Sequence, residues 1–223
     1  MNDVAPLTDE RARAVSVEGL GRRAFDLVVG GMLLVLLLPV IALVAGAVSI
    51  STPGPALFRQ VRVGRNEERF RMFKFRTMYV DSDDEPHRRF VTSVLSDRNG
   101  ALGRPGLQKL EHDPRVTKLG AFLRRSSIDE LPQLFNVMAG SMSLVGPRPV
   151  LPWEAELFAP HHRRRFEVKP GITGLWQVRG RSSLSMLEAL DLDVEYVATR
   201  SFWLDLAILV KTIPTVLFER TAA

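Results

Sequence analysis

The chain has 223 residues, a length that favours one domain with attachments, and it contains no cysteine, which excludes disulfides and thiolate-ligated metals. Thirty Lys and Arg against 25 Asp and Glu give a formal net charge of +5, suited to anionic lipid headgroups, phosphorylated small molecules or nucleic acid. Neither a Walker-type glycine loop nor a G-x-G-x-x-G fingerprint occurs, so P-loop and dinucleotide chemistry lack support, and nothing resembles an internal repeat.

Residues 1 to 21 read as a polar, mobile tail ending at Arg22 and Arg23. Residues 25 to 50, FDLVVGGMLLVLLLPVIALVAGAVSI, carry no charge after Asp26 and are long enough to span a bilayer, for which roughly 20 apolar residues suffice. Pro39 removes a backbone donor at the centre of that run and is expected to kink or break the helix. Arg11, Arg13, Arg22 and Arg23 precede the run, and Arg59, Arg62, Arg65, Arg69, Arg71 and Lys74 follow it. Basic residues collect on cytoplasmic flanks, so two basic flanks point to a helix over 22–52 that enters the membrane, breaks at Pro39 and returns. A kinked spanning helix remains an alternative. A cleaved signal peptide, hinted at by Ala45-Gly46-Ala47, fits poorly with so long an apolar run and the basic segment after it.

Ser51-Thr52-Pro53-Gly54-Pro55 stops the membrane element. LFRQVRV (57–63) and RFRMFKFRTM (69–78) around the polar segment 64–68 predict a β-hairpin with a loop of about five residues. Phe70 and Met72 fall on one face and Phe73 and Phe75 on the other, which predicts a bulge or a change of buried face between them. Residues 81–106 are polar and uneven, with room for a helix. Further on, DPRVTKLG leads into a short basic helix, AFLRR; Ser127 to Glu130 open another, LPQLFNVMAG, ended by Gly140. Gly146-Pro147-Arg148-Pro149 and Pro170-Gly171-Ile172-Thr173-Gly174 are tight loops. Residues 153–168 read as one basic helix, and LWQVRGR as extended. Adjacent His161 and His162 point apart on such a helix, so a two-histidine metal site is not expected. The C-terminal stretch is too interrupted by Asp205, Lys211 and Pro214 to span; it reads as an interfacial amphipathic helix or a packed core helix.

Asp129 and Glu130 are the strongest catalytic candidates. They sit where a helix begins, with Arg124 and Arg125 a turn upstream, and such surroundings keep carboxylates ionised. An ionised carboxylate can attack phosphorus or hold a divalent metal. Equally, Ser127-x-x-Glu130 has the spacing of a capping box, in which Glu130 merely bonds backbone.

The segment SSIDELPQLFNVMAGSMSLVGPRP, with FRQVRVG, FKFRTM, DPRVTKLGAFLRR and KPGITGLWQVRGR, resembles the bacterial sugar transferases, monotopic polyprenyl-phosphate phosphoglycosyl transferases, from about Arg22 to Leu217. The resemblance is to the minimal catalytic form. It implies a mainly α fold with a small β-hairpin, the re-entrant helix, and interfacial amphipathic helices. Residues 53–223 would then be a catalytic domain on the cytoplasmic face of the bacterial inner membrane.

The reaction it implies moves a sugar-1-phosphate from a UDP-sugar to polyprenyl phosphate, initiating exopolysaccharide, O-antigen or glycan assembly. By resemblance, Asp129 is the nucleophile that carries an aspartyl-phosphosugar, and Glu130 its partner at Mg2+. Arg124, Arg148, Lys74 and Arg76 match positions for substrate or phosphate contact. No nucleic-acid partner is expected, and a homo-oligomer is possible in the family. One departure is Leu38-Pro39, where many relatives carry Ser-Pro; leucine cannot bond the carbonyl that proline frees. The rival readings are a non-catalytic basic membrane adaptor and a carboxylate-based phosphohydrolase.

Overall fold

A computed structural model describes residues 9–80, 85–96, 113–180 and 183–218. Helix α1, Asp9–Ser51, is 43 residues long. Residues 9–21, read as tail, are therefore helical, while 1–8 lie outside the described residues. The helix is continuous through Pro39 rather than interrupted there, although that residue still withholds the amide that would bond the Val35 carbonyl. Its Gly19–Ser51 portion is long and apolar enough to cross a membrane by length and composition.

One stripe of α1 packs against the rest of the protein. Phe25, Val29, Leu33, Leu34 and Leu37 meet a core around Met72, Leu134, Val137, Met142, Leu144 and Ile208. Ile41, Val44 and Val48 continue the stripe onto a second core with Phe75 and Leu123. Steps of three and four residues are what one face of a helix requires. The opposite face leaves Val28, Met32, Val35, Leu36, Leu43 and Ile50 exposed. An apolar surface of that extent on a soluble chain would be a liability, but it suits contact with lipid.

Polar contacts tie both ends of α1 to the same body. At its start, Arg22 Nη1 bonds Asp205 Oδ2 at 2.7 Å, and Arg23 donates to the Val137 and Met138 carbonyls at 2.6 and 2.8 Å. Buried Asp26 accepts from Ser143 Oγ at 2.7 Å and the Leu144 amide at 3.0 Å. At its end, the Arg76 guanidinium reaches the carbonyls of Val48, Thr52 and Pro53 at 3.3, 2.7 and 2.5 Å. Gly54 makes this possible: its φ is +114°, and a Cβ there would lie 2.2 Å from Arg76 Nη1.

Strands β1 (Leu57–Val63) and β2 (Arg69–Phe75) form the expected hairpin, in continuous antiparallel register from Leu57↔Phe75 to Val63↔Arg69. No bulge interrupts the register; the ribbon instead buries both faces, with Met72 in one core and Phe75 in the other. Helix α2 (Glu85–Ser96) occupies part of the polar stretch, and the remainder of 81–106 is outside the described residues.

Helices α3 (Lys118–Arg125) and α4 (Gln133–Ala139) follow, the latter ending at Gly140 with φ +85°. The Asn136 side chain then does the work of a neighbouring strand. Its Oδ1 accepts the Phe73 amide at 2.9 Å and its Nδ2 donates to the Arg71 carbonyl at 2.7 Å, fixing α4 on β2.

Strand β3 (Ser143–Val145) pairs in parallel with β4 (Gly171–Thr173). Between them, the single helix expected over 153–168 is two pieces, α5 (Pro152–Glu156) and a 3-10 segment His162–Glu167, with Pro160 in the gap. LWQVR, expected to be extended, is helix α6 (Leu175–Arg179). It packs against the two helices that follow it in the chain, with Leu175 and Trp176 both buried.

Helices α7 (Met186–Thr199) and α8 (Phe202–Phe218) are the last of the described elements. The two readings of the C-terminal stretch both apply to α8: Ile208 is fully buried, whereas Trp203, Val210 and Ile213 face outward.

Because the buried Arg76 satisfies carbonyls at the end of α1, Arg76→Met keeps the aliphatic stem but strands those acceptors. Hydrogen bonds from a charged donor contribute roughly 1.5–3 kcal/mol. The expected loss is about 3 kcal/mol, read as a lower thermal midpoint in detergent; an unchanged midpoint would show that the cap contributes nothing.

Candidate active site

Asp129 and Glu130 lie in a 3-10 turn, Ile128–Glu130, between α3 and α4. The residue before that turn, Ser127, is left-handed at φ +57°, ψ 14° and makes no side-chain cap. An N-cap needs extended dihedrals to aim its oxygen at the first turn, so the capping box that the spacing offered does not form. Glu130 is thereby released from backbone duty.

Its carboxylate turns instead to two cations. Lys74 Nζ, from β2, and Arg148 Nη2, from the Gly-Pro-Arg-Pro loop, each lie 3.0 Å from Glu130 Oε1. Burial opposes the charge on Glu130, but Arg148 and Lys74 outweigh it and hold the carboxyl far below its usual range. Burial draws Lys74 down despite Glu130, while Glu130 raises Arg148. Asp129 is buried beside them, within electrostatic reach of Lys74, Arg148 and Arg124. Three cations thus face two carboxylates, leaving a surplus positive charge suited to a phosphorylated ligand.

Arg124 comes from α3, where burial lowers its pKa against the pull of Asp129. Its Nε donates to Thr77 Oγ1 at 2.9 Å. Gly120 lets α3 come this close, since a Cβ there would meet the Thr77 carbonyl oxygen at 2.0 Å. Of the six expected site residues, Asp129, Glu130, Lys74, Arg124 and Arg148 converge. Arg76 does not: its guanidinium is committed to the end of α1. Strand alternation would have put it on the face of Lys74, but β2 ends at Phe75.

The Arg148 loop is held by backbone against backbone. Gly146 N donates to Thr173 O at 2.9 Å and Gly171 N to Pro147 O at 3.0 Å. A Cβ on Gly171 would sit 2.1 Å from Gly146 N, and one on Gly174 would sit 2.4 Å from Gly146 O. This explains why both loops carry glycine. Beneath the loop, Arg165 Nη2 donates to the Arg148 carbonyl at 2.6 Å and to Asp193 Oδ2 at 2.7 Å. Its guanidinium lies 5.3 and 5.7 Å from the Phe158 and Phe166 ring centres. Burial pushes the Asp193 carboxyl up to about 6 in spite of Arg165. Sequence reading missed both residues, because the run 163–165 looks like one solvated basic block; the only hint was Phe158 and Phe166 nearby.

Asp129 and Glu130 offer the hard oxygens that a magnesium-type ion takes, usually with substrate phosphates completing its shell. Softer donors lie elsewhere. Contrary to expectation, the His161 and His162 rings do not diverge: their centres are 3.8 Å apart and both Nε2 atoms approach Asp191. Both side chains turn toward the Asp191 carboxylate on α7, which brings the rings together despite their adjacent positions.

The model of the family described as bacterial sugar transferase matches residues 17–219. The exopolysaccharide production protein ExoY of Sinorhizobium fredii is 38% identical over 204 residues, covering 92% of this chain and 88% of that protein. The UDP-glucose:undecaprenyl-phosphate glucose-1-phosphate transferase of Caulobacter vibrioides is 37% identical, covering 89% and 70%. The galactosyl transferase CpsE of Streptococcus agalactiae is 46% identical over 74% of this chain, which spans only 35% of that longer protein.

The left-handed Ser127 sets how the acidic pair is presented. Ser127→Gly is expected to keep the thermal midpoint close to that of the parent. Ser127→Val should lose about 1–2 kcal/mol, since a β-branched side chain is strained at positive φ. Equal midpoints for the two variants would show that the turn does not depend on this conformation.

Proposed function

The chain belongs to the bacterial sugar transferase family, and we propose that it transfers a sugar-1-phosphate from a UDP-sugar to polyprenyl phosphate. Its product would begin assembly of an exopolysaccharide, O-antigen or other glycan. Similarity to the relatives acting on undecaprenyl phosphate supports the donor and acceptor classes. The observation that carries the reading is the placement of two adjacent carboxylates, one buried and one half-buried, among Lys74, Arg124 and Arg148.

In this mechanism a carboxylate oxygen of Asp129 attacks the β-phosphorus of the donor. The α–β anhydride bond breaks, UMP leaves with the bonding pair, and the phosphosugar remains on Asp129 as an acyl phosphate. A phosphate oxygen of the polyprenyl acceptor then attacks the same phosphorus. Asp129 leaves as the free carboxylate, and the product is a polyprenyl-diphosphate sugar. Arg148, presented on a rigid loop, is suited to fork onto donor phosphate oxygens, and Lys74 and Arg124 oppose the charge that gathers as the bonds exchange. Glu130 stays ionised between Arg148 and Lys74, and with Asp129 would hold Mg2+. The ion, when bound, neutralises diphosphate charge and eases departure of UMP.

The same reading puts the catalytic domain on the cytoplasmic face of the inner membrane, with both ends of α1 held against that domain. Support comes from the arginine-rich flanks and from the polar ties of both ends of α1 to one body. The outward apolar residues of α1 and α8 would meet lipid.

Asp129→Asn should abolish transfer while leaving a folded, membrane-bound protein. UMP release from a panel of UDP-sugars, with and without polyprenyl phosphate, measures this directly. Substantial residual transfer by the variant would overturn the nucleophile. Steady turnover without acceptor would mark a phosphohydrolase, and no UMP with any donor would leave the basic adaptor.

Topology has a separate test. Cysteines placed at Ala12 and Asn66 should both be labelled only from the cytoplasmic side, there being no native thiol to interfere. Labelling of the Ala12 position from the opposite side would establish a spanning helix.

A further inference from the structure

We infer that His161, His162 and Asp191 form a binding site for one zinc-class divalent ion, separate from the acidic pair. His162 Nε2 lies 2.8 Å from Asp191 Oδ1, and His161 Nε2 lies 3.8 Å from the same oxygen. One ligand atom from each of the three residues falls within 4.8 Å of the other two. Tetrahedral zinc with bonds of about 2.0–2.1 Å spaces its ligands about 3.3 Å apart, so the two measured distances bracket the required separation. Coordination by both imidazoles would require the two rings, whose centres are 3.8 Å apart, to spread around the ion. Two imidazoles and one carboxylate are the donors of zinc and its neighbours; magnesium and calcium take oxygen sets.

The surroundings allow a dication. The arginines that follow the histidines are each engaged by a carboxylate: Arg163 by Glu67, Arg164 by Glu167 and Arg165 by Asp193. Glu188, a turn before Asp191 on α7, adds negative charge close enough to affect that carboxylate's neighbourhood. His162 is buried, whereas His161 and Asp191 are about two-thirds exposed. An ion held there is anchored from inside yet open to solvent, with a coordination position left for water.

Its structural effect follows from where the ligands sit. His161 and His162 open the 3-10 segment, and Asp191 lies on α7. On the inner side of the same contact, Arg165 bonds Asp193 and supports the Arg148 carbonyl. Zinc would clamp the outer side of that joint and so stiffen the support of the Arg148 loop. Without an ion the same groups make a His162–Asp191 hydrogen bond, with the His161 ring tilted at 46° to its neighbour.

The test uses full-length protein in detergent, purified without a polyhistidine tag and stripped with chelator. Calorimetric titration with Zn2+ should show one equivalent bound, and zinc should raise the thermal midpoint. His161→Ala and Asp191→Asn, both at exposed positions and safe for the fold, should each weaken binding at least tenfold and remove the midpoint rise. Asp129→Asn should bind zinc as the parent does, which separates this site from the acidic pair whatever the fate of the proposed transfer reaction. The inference is overturned if no stoichiometric binding occurs, or if binding survives both variants. It is equally overturned if binding disappears on replacing His87 and His112, the only other histidines.

Discussion

Everything at the acidic pair depends on where the Glu130 carboxylate points. It could bond the first turn of its own helix, as Ser-x-x-Glu commonly does. Instead it meets Lys74 from the hairpin and Arg148 from a loop far along the chain, both at 3.0 Å. Three segments that share no local structure are thereby held together, and the turn that carries Glu130 is entered through a left-handed Ser127. Removing one partner from this partly buried cluster leaves the remaining charges incompletely compensated. The same cluster presents Asp129 to its surroundings with cations on several sides.

The second constraint is the long apolar helix. It is not an appendage, since one stripe supplies wall to both cores and each end is tied by arginine and aspartate to the body. Membrane contact and site geometry are therefore linked mechanically. A shift of α1 would move Val137 and Leu144 on one side and Phe75 and Leu123 on the other. Phe75 directly follows Lys74 on β2, and Leu123 directly precedes Arg124 on α3. An enzyme that meets a lipid-borne acceptor gains from such coupling, because the surface resting on the membrane also positions the cationic side chains.

A third layer supports Arg148 from below. Backbone contacts through Gly146, Gly171 and Gly174 fix the path of the loop, and buried Arg165 fixes one carbonyl. The placement of Arg165 between two aromatic rings and a carboxylate compensates part of the cost of burying its charge. The His161–His162–Asp191 group lies on the outer side of this joint, which gives that surface a route to the site through ordinary packing.

Sequence alone determined much of the local structure, because local signals suffice for it. The hairpin and its five-residue loop follow from alternation and turn residues, and the end of α4 from Gly140. Resemblance also brought Lys74, Arg124 and Arg148 into consideration together. Tertiary structure decided the rest, because it depends on partners distant in the chain. Arg76 looked like a phosphate ligand, yet the free carbonyls at the end of α1 claimed it. Glu130 fitted a capping box until the backbone at Ser127 turned the other way. LWQVR was read as extended, but it folds as a helix against α7 and α8, partners that lie later in the chain. Arg165 and Asp193 passed unnoticed, since a charge run looks the same whether solvated or paired. A single residue can serve several bonding arrangements of similar local energy, and only the packed chain selects among them.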